Sequence, residues 1–227
     1  MDNRITGHTR LYCLIGSPVG HSGSPAMYNY SFYSVGEDGA YLAFDISLDH
    51  LAEGIAALKT LNVKGFNITM PDKTAVIEYL DEVTPAAQLI GACNTVTVSE
   101  DGRLTGHNTD GIGFVRNLEE NGVEIKGKKL VVLGTGGAAT AICVQAALDG
   151  AAEIAIFNPK DSFYENGLKT VERLEKAVPG CRMSMNDIAD QALLKQAVDN
   201  ADILVNATKV GMKPMEKETL IDKSWYR

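Results

Sequence analysis

The sequence predicts an α/β protein of two domains, the first with a mostly parallel sheet. Three observations predict it. Apolar runs of strand length alternate with helical patterns along the whole chain. A Val-rich run, a glycine-rich turn and an Ala-rich run follow one another from Leu130 to Ala139. Close to half of the 227 residues precede that turn, enough for a domain of the usual size of about 100–150 residues.

Leu11–Ile15 reads as a buried strand closed by the turn residues Gly16-Ser17-Pro18, with a helix beyond Ser24-Pro25. Tyr41–Asp45 and Gly65–Thr69 are the next two strands. Between them Leu48, Leu51, Ile55, Leu58 and Leu61 recur at helical spacing. Pro71 fits the first turn of another helix, with Ala75, Val76, Tyr79 and Leu80 on its apolar side. Val96–Val98 and Arg103–Gly106 flank Asp101-Gly102, a hairpin signal. A helix follows from Gly111 to Glu120. Asn121-Gly122 is its C-cap and the expected boundary, giving domains 1–121 and 122–227. The second domain continues with a strand near Leu130, a helix from Gly137, strand Glu153–Phe157 and helix Tyr164–Ala177. Strand Arg182–Met185, helix Gln191–Val198 and strand Asp202–Asn206 complete it.

Hydrophobic residues make up 45% and charged residues 22%, a globular rather than a disordered composition. The net charge of -8 argues against nucleic acid or an anionic membrane as the main partner, since both are repelled at long range. Cys13, Cys93, Cys143 and Cys181 are far apart and form no Cys-x-x-Cys, so they read as buried free thiols and not as a metal or redox site. No apolar signal core opens the chain, and no run approaches the about 18 apolar residues of a membrane span. A cytoplasmic protein is expected.

Gly134-x-Gly136-x-x-Ala139 matches the dinucleotide fingerprint in its Gly/Ala form, so the second domain is expected to be Rossmann-like. The turn residues Gly134, Thr135, Gly136, Gly137 and Ala138 are its candidate cofactor contacts, where backbone approaches a pyrophosphate at a helix start. The choice between NADP and NAD is read at the end of the next strand, at Asn158-Pro159-Lys160-Asp161. Asn158 repels no 2′-phosphate and Lys160 attracts one, whereas Asp161 disfavours one. These residues leave NADP and NAD both open.

The first domain carries the polar residues. Reducing a ketone by hydride needs a proton donor, and oxidising the alcohol needs the matching base. Lys73 serves both directions if burial tunes it, with Asp110 to hold it. Taken alone, a lysine near a helix start is more often a surface charge. Ser22 and Ser24 suit a carboxylate or a polyol, although for each taken alone a helix cap is the commoner role. Asn67, Asn94 and Asn108 fall at strand ends or adjoining turns, where ligands of open α/β sheets bind.

The segments SPVGHSGSP, GFNITMPDK, GACNTV, GHNTDGIG, VVLGTGGAATA and NATKVGMKP together resemble the shikimate dehydrogenase family, most of all its shikimate/quinate branch. The resemblance spans residues 17–214 and implies reversible reduction of 3-dehydroshikimate to shikimate with NADP or NAD; whether quinate is a second substrate stays open. It implies Lys73 and Asp110 as the catalytic pair, and Ser22, Ser24, Thr69, Asn94 and Asp110 lining the substrate pocket. Asn206, Thr208, Lys209 and Gly211 match the family's loop near the nicotinamide. The chain departs from the family by lacking an Arg after Asn158, by Thr135 in place of Ala, and by ending at Arg227 where relatives continue. Set against the resemblance, a fragment is expected, one without the strand, the substrate-touching Gln and the helices packing back on the first domain that the family carries beyond this point. A monomer or homodimer is expected. The alternative is a relative that binds cofactor or shikimate without turnover, which the retention of Lys73 and Asp110 argues against. A dehydrogenase of similar plan acting on amino acids or folate lacks support from the Ser22/Ser24 motif.

Overall fold

Strands and helices alternate as the apolar pattern requires, in a computed structural model that describes residues 5–225. In order they are β1 (Arg10–Gly16), α1 (Ser24–Val35), β2 (Gly39–Asp45), α2 (Leu51–Thr60), β3 (Gly65–Ile68), β4 (Glu82–Val83), α3 (Pro85–Ile90), β5 (Thr95–Val98) and β6 (Leu104–His107). Then come α4 (Asp110–Glu120), β7 (Lys129–Leu133), α5 (Gly137–Leu148), β8 (Glu153–Asn158), α6 (Tyr164–Ala177), β9 (Arg182–Asp187), α7 (Gln191–Asn200) and β10 (Ile203–Asn206). The chain divides into two compact units, 1–109 and 110–227.

The first unit holds a six-stranded sheet in the order β2-β1-β3-β5-β6-β4. β1 pairs in parallel with β2 and β3, and β5 runs antiparallel between β3 and β6. Alternation along the strands sends Cys13, Ile15, Phe66, Ile68 and Val96 to one face, where Leu51, Ile55 and Leu58 of α2 cover them. Leu14 and Tyr41 point to the other face, under Tyr28 and Phe32 of α1. Leu48 and Leu61, at helical spacing with the buried leucines, are 50% and 60% exposed because α2 begins after the first and ends before the second. Asp101-Gly102 makes the expected turn, with Gly102 at φ +81°.

The helix expected after Pro71 is instead a run of turns leading to a 3-10 helix over Ala75–Tyr79. The reason is a competing hydrogen bond. The carbonyl of Lys73, which an α-helix would offer to Ile77, accepts the N–H of Cys93 at 2.8 Å.

The second unit has four parallel strands in the order β10-β7-β8-β9. Val131, Leu133, Ala155 and Phe157 pack against Leu194 of α7 and Ile221. α5 buries seven of its twelve residues, so it is apolar all round. The sequence reading sets the boundary after Asn121, whereas the compact units separate between Thr109 and Asp110. Gly122 does cap α4, at φ +79°, but the cap is not the division. α4 packs on α5, and Gly111 lies so close that a Cβ there would stand 2.4 Å from the Ala141 carbonyl oxygen.

That approach yields a prediction. Gly111→Ala forces a methyl against backbone that has no rotamer to yield, and overpacking of this kind costs about 1–3 kcal/mol. Thermal unfolding should show a Tm lower by several degrees, whereas Gly113→Ala, whose Cβ meets nothing within 4 Å, should not.

Candidate active site

In the first unit the predicted residues gather at one edge of the sheet. β1 and β3 are parallel, so the loops that follow them leave side by side. The N–H of Ser17 donates to the Met70 carbonyl at 3.1 Å, and that of Thr69 to the Ile15 carbonyl at 2.9 Å. Gly16, at φ +147°, permits this contact, because a Cβ there would meet the Thr69 methyl at 2.5 Å. The first loop carries Ser22 and Ser24 and the second carries Thr69 and Lys73. Ser22 and Ser24 are half-buried, and the Ser22 Oγ accepts the N–H of Ser24 at 3.2 Å as α1 begins. Lys73 is half-buried, its carbonyl fastened to Cys93.

Asn94, buried just before β5, joins the same edge: its carbonyl accepts from Ile68 and its N–H donates to the His107 carbonyl. Its Oδ1 accepts from the N–H of Thr109 at 2.9 Å and the Oγ1 of Thr95 at 2.9 Å. Asn67, on β3, gives its amide to the protein. Its Nδ2 donates to Thr95 Oγ1 at 3.0 Å and the Asn94 carbonyl at 3.3 Å, while Tyr41 donates to its Oδ1 at 2.7 Å. The buried Asn108 donates to the Ala92 carbonyl at 3.0 Å. Asp110 is exposed and opens α4, in the second unit.

In the second unit the switch point lies between β7 and β10, since β8 and β9 continue on the other side of β7. Gly134, at φ +110°, leaves room for the neighbouring loop: a Cβ there would stand 3.0 Å from the Ala207 carbonyl oxygen. Gly136 and Gly137 differ, because a Cβ on either would meet nothing within 4 Å. Backbone N–H groups at the start of α5 thus border open space, without an acidic residue or a side-chain cap in the first turn. Those features fit a dinucleotide's pyrophosphate. Ala138 follows in the same first turn. Thr135 is buried, and its hydroxyl donates to the Phe163 carbonyl at 2.9 Å, tying the turn to the start of α6. Asn206 closes the loop after β10, with Nδ2 donating to the Val210 carbonyl and Oδ1 accepting from Thr208. Gly211 takes φ +93° there, and Lys209 is exposed.

Asn158 ends β8 and donates to Asp161 Oδ1 at 3.0 Å, which also accepts the N–H of Phe163 at 2.9 Å. Lys160 pairs with Asp187 at the end of β9, 3.7 Å away. Asp187 escaped the sequence reading. Its position at the end of the next parallel strand was the available signal.

Asp72 also escaped it, since a charge in a turn reads as solvated. It is wholly buried beside Lys73, with neither carboxyl oxygen meeting a donor among the described residues. Burial raises its pKa above the ordinary carboxylate range. Because the folded pKa lies above the unfolded one, the group's stabilising contribution is complete in acid below the unfolded value of about 3.9. It is lost as pH rises through the folded value. Asp72→Asn should therefore raise Tm most at neutral and alkaline pH, with the gain over wild type shrinking toward acid. Unfolding scans of both proteins across pH check this, and a gap independent of pH would count against it.

Comparison with known proteins adds to this geometry. A family model described as the shikimate dehydrogenase substrate binding domain matches residues 14–96. A Listeria monocytogenes protein named shikimate dehydrogenase (NADP(+)) is 50% identical over 218 residues, 96% of this chain and 74% of the relative. A Streptococcus uberis protein of the same name is 47% identical over 223 residues, 97% of this chain and 75% of the relative. Among solved structures, shikimate 5-dehydrogenase from Listeria monocytogenes, in complex with shikimate and NAD, superposes with a TM-score of 0.97 at 47% identity. It covers all of this chain, which spans 78% of it. Quinate dehydrogenase from Corynebacterium glutamicum, in complex with NAD, gives 0.84 at 30% identity, covering 96% of this chain and 77% of its own.

Proposed function

We propose that this chain, which belongs to the shikimate dehydrogenase family, reversibly interconverts 3-dehydroshikimate and shikimate with a nicotinamide cofactor. The observation that carries the reading is the gathering of Ser22, Ser24, Thr69, Lys73 and Asn94 at one sheet edge, in a chain 50% identical to a shikimate dehydrogenase. When bound, the cofactor supplies or accepts the hydride. The chain's own residues supply the rest. Hydroxyls and amides at that edge match the oxygens of a polyhydroxylated carboxylic acid, and Lys73 gives a proton to the carbonyl oxygen in reduction and removes it in oxidation. Asp110 is the second member of the catalytic pair. Asn67 acts through its neighbours, since its amide is engaged by Tyr41, Thr95 and the Asn94 carbonyl.

At the end of β8 two carboxylates, Asp161 and Asp187, accompany one ammonium, Lys160. That excess of negative charge opposes a 2′-phosphate, so NAD is the favoured cofactor. Four buried free thiols, Cys13, Cys93, Cys143 and Cys181, suit a reducing compartment, and we place the protein in the cytoplasm. Among the described residues no helix is long and apolar enough to cross a membrane.

Absorbance assays offering shikimate and quinate, each with NAD and NADP, test the reading. Turnover of shikimate, fastest with NAD, is expected, and a folded, cofactor-binding sample inert toward shikimate would refute the assignment. Lys73→Ala should lower kcat by about 10²–10⁴-fold, leaving the cofactor KM within about twofold. Asp161→Asn removes a charge but keeps an acceptor for Phe163. It should raise kcat/KM for NADP relative to NAD by about tenfold, the effect of one charge at a partly screened surface site. An unchanged ratio would remove Asp161 from cofactor selection.

A further inference from the structure

Tyr41 lies on β2, outside the motifs that suggest substrate contact, yet it heads a hydrogen-bond chain whose direction is fixed at every link. The Asn94 carbonyl accepts only, so the end of the Asn67 amide facing it at 3.3 Å is Nδ2. Oδ1 of Asn67 therefore faces Tyr41, and the phenol must donate, at 2.7 Å. Thr95 Oγ1 accepts the other Asn67 proton at 3.0 Å and spends its own on Asn94 Oδ1 at 2.9 Å. The N–H of Thr109 donates only, so Oδ1 is the end of Asn94 that faces it, which agrees.

Tyr41 is itself held. Its backbone N–H and carbonyl are both bonded to the Asn29 side chain, its ring stacks on Tyr28 with centroids 4.4 Å apart, and only 2% of it is exposed. Burial, with Tyr28 close by, raises the phenol's pKa further, so it remains a donor at any working pH.

We propose that Tyr41 is a positioning residue for shikimate binding, acting through Asn67 and Thr95 to hold in place the Asn94 amide, whose sense the Thr109 N–H on Oδ1 and the Thr109 Oγ1 on Nδ2 set. The proposal rests on the reading above that Asn94 touches the substrate. Loss of the first donor leaves Asn67 Oδ1 unsatisfied, and the amide shifts from its bonds to Thr95 and the Asn94 carbonyl to recover a donor, loosening Thr95 and Asn94 in succession.

Calorimetric Kd for shikimate and steady-state kinetics on the full chain test it, with Tyr41→Phe, Asn94→Ala and the double variant. Tyr41→Phe should weaken shikimate binding about fivefold, the usual scale for one hydrogen bond, with kcat and cofactor KM within about twofold of wild type. Thr95→Val should act in the same direction and Thr95→Ser should restore binding. In the Asn94→Ala background Tyr41→Phe should have no further effect on binding, because the group it positions is gone. A role confined to stability would lower Tm without touching Kd. Wild-type binding by Tyr41→Phe, or its full effect persisting without the Asn94 amide, would overturn the proposal. If Asn94→Ala itself binds shikimate normally, the assignment of Asn94 fails, and the proposal with it, whatever Tyr41→Phe does.

Discussion

The parallel pairing of β1 with β3, Tyr12 opposite Gly65 through Ile15 opposite Ile68, decides where the first unit's polar residues can meet. Parallel strands end at the same edge, so the loops after β1 and β3 emerge together. β5 then joins β3 antiparallel, which puts its start beside the end of β3, and β6 returns to finish at that edge again. Four loops or loop ends from distant stretches of sequence thus converge. Their backbones lock by bonds outside the regular ladder: Ser17 to Met70, Cys93 to Lys73, Asn94 to His107. Each bond also satisfies a backbone group at a strand end that would otherwise lack a partner. The segment carrying Lys73 is tied to the neighbouring loops on this account, although it is neither strand nor α-helix.

The second unit applies the same rule with different side chains. Its strands are all parallel, and the reversal of strand order between β7 and β10 brings the glycine turn beside the Asn206–Gly211 loop. In the first unit the edge is furnished with hydroxyls, amides and a lysine. In the second, Gly136 and Gly137 leave backbone bare. A polyol acid is recognised by side chains that match its oxygens one by one. A pyrophosphate needs backbone N–H groups at close approach, which any side chain would obstruct.

Most of this order is legible in the sequence because it rests on local rules. Helix Tyr164–Ala177 appears at the residues its periodicity marks, and Asp101-Gly102 turns where a type of dipeptide demands it. The residues that escape are those whose behaviour depends on distant partners. Lys73 stops an α-helix from forming because Cys93, far along the chain, takes its carbonyl. Asp110 opens the second unit because Gly111 fits against Ala141, a match of shapes that no spacing reveals. Asn67 stands at a strand end where ligands commonly bind, but its amide is consumed by Tyr41, Thr95 and Asn94. Tyr41 carries no motif at all.

Proximity alone would not make such an edge selective. An asparagine amide offers a donor and an acceptor of nearly the same shape, and a half-turn about its last bond exchanges them. A site that must tell one hydroxyl from another needs that turn forbidden, and only groups with a fixed sense forbid it: a backbone N–H, a backbone carbonyl, or a hydroxyl whose proton is already committed. Asn94 has all three kinds among its contacts or one link away. Asp72, one residue from Lys73, has no such donor for either oxygen, and burial drives it toward the neutral acid. The two residues lie at the same edge, and what separates their roles is whether the surrounding backbone supplies partners of defined direction.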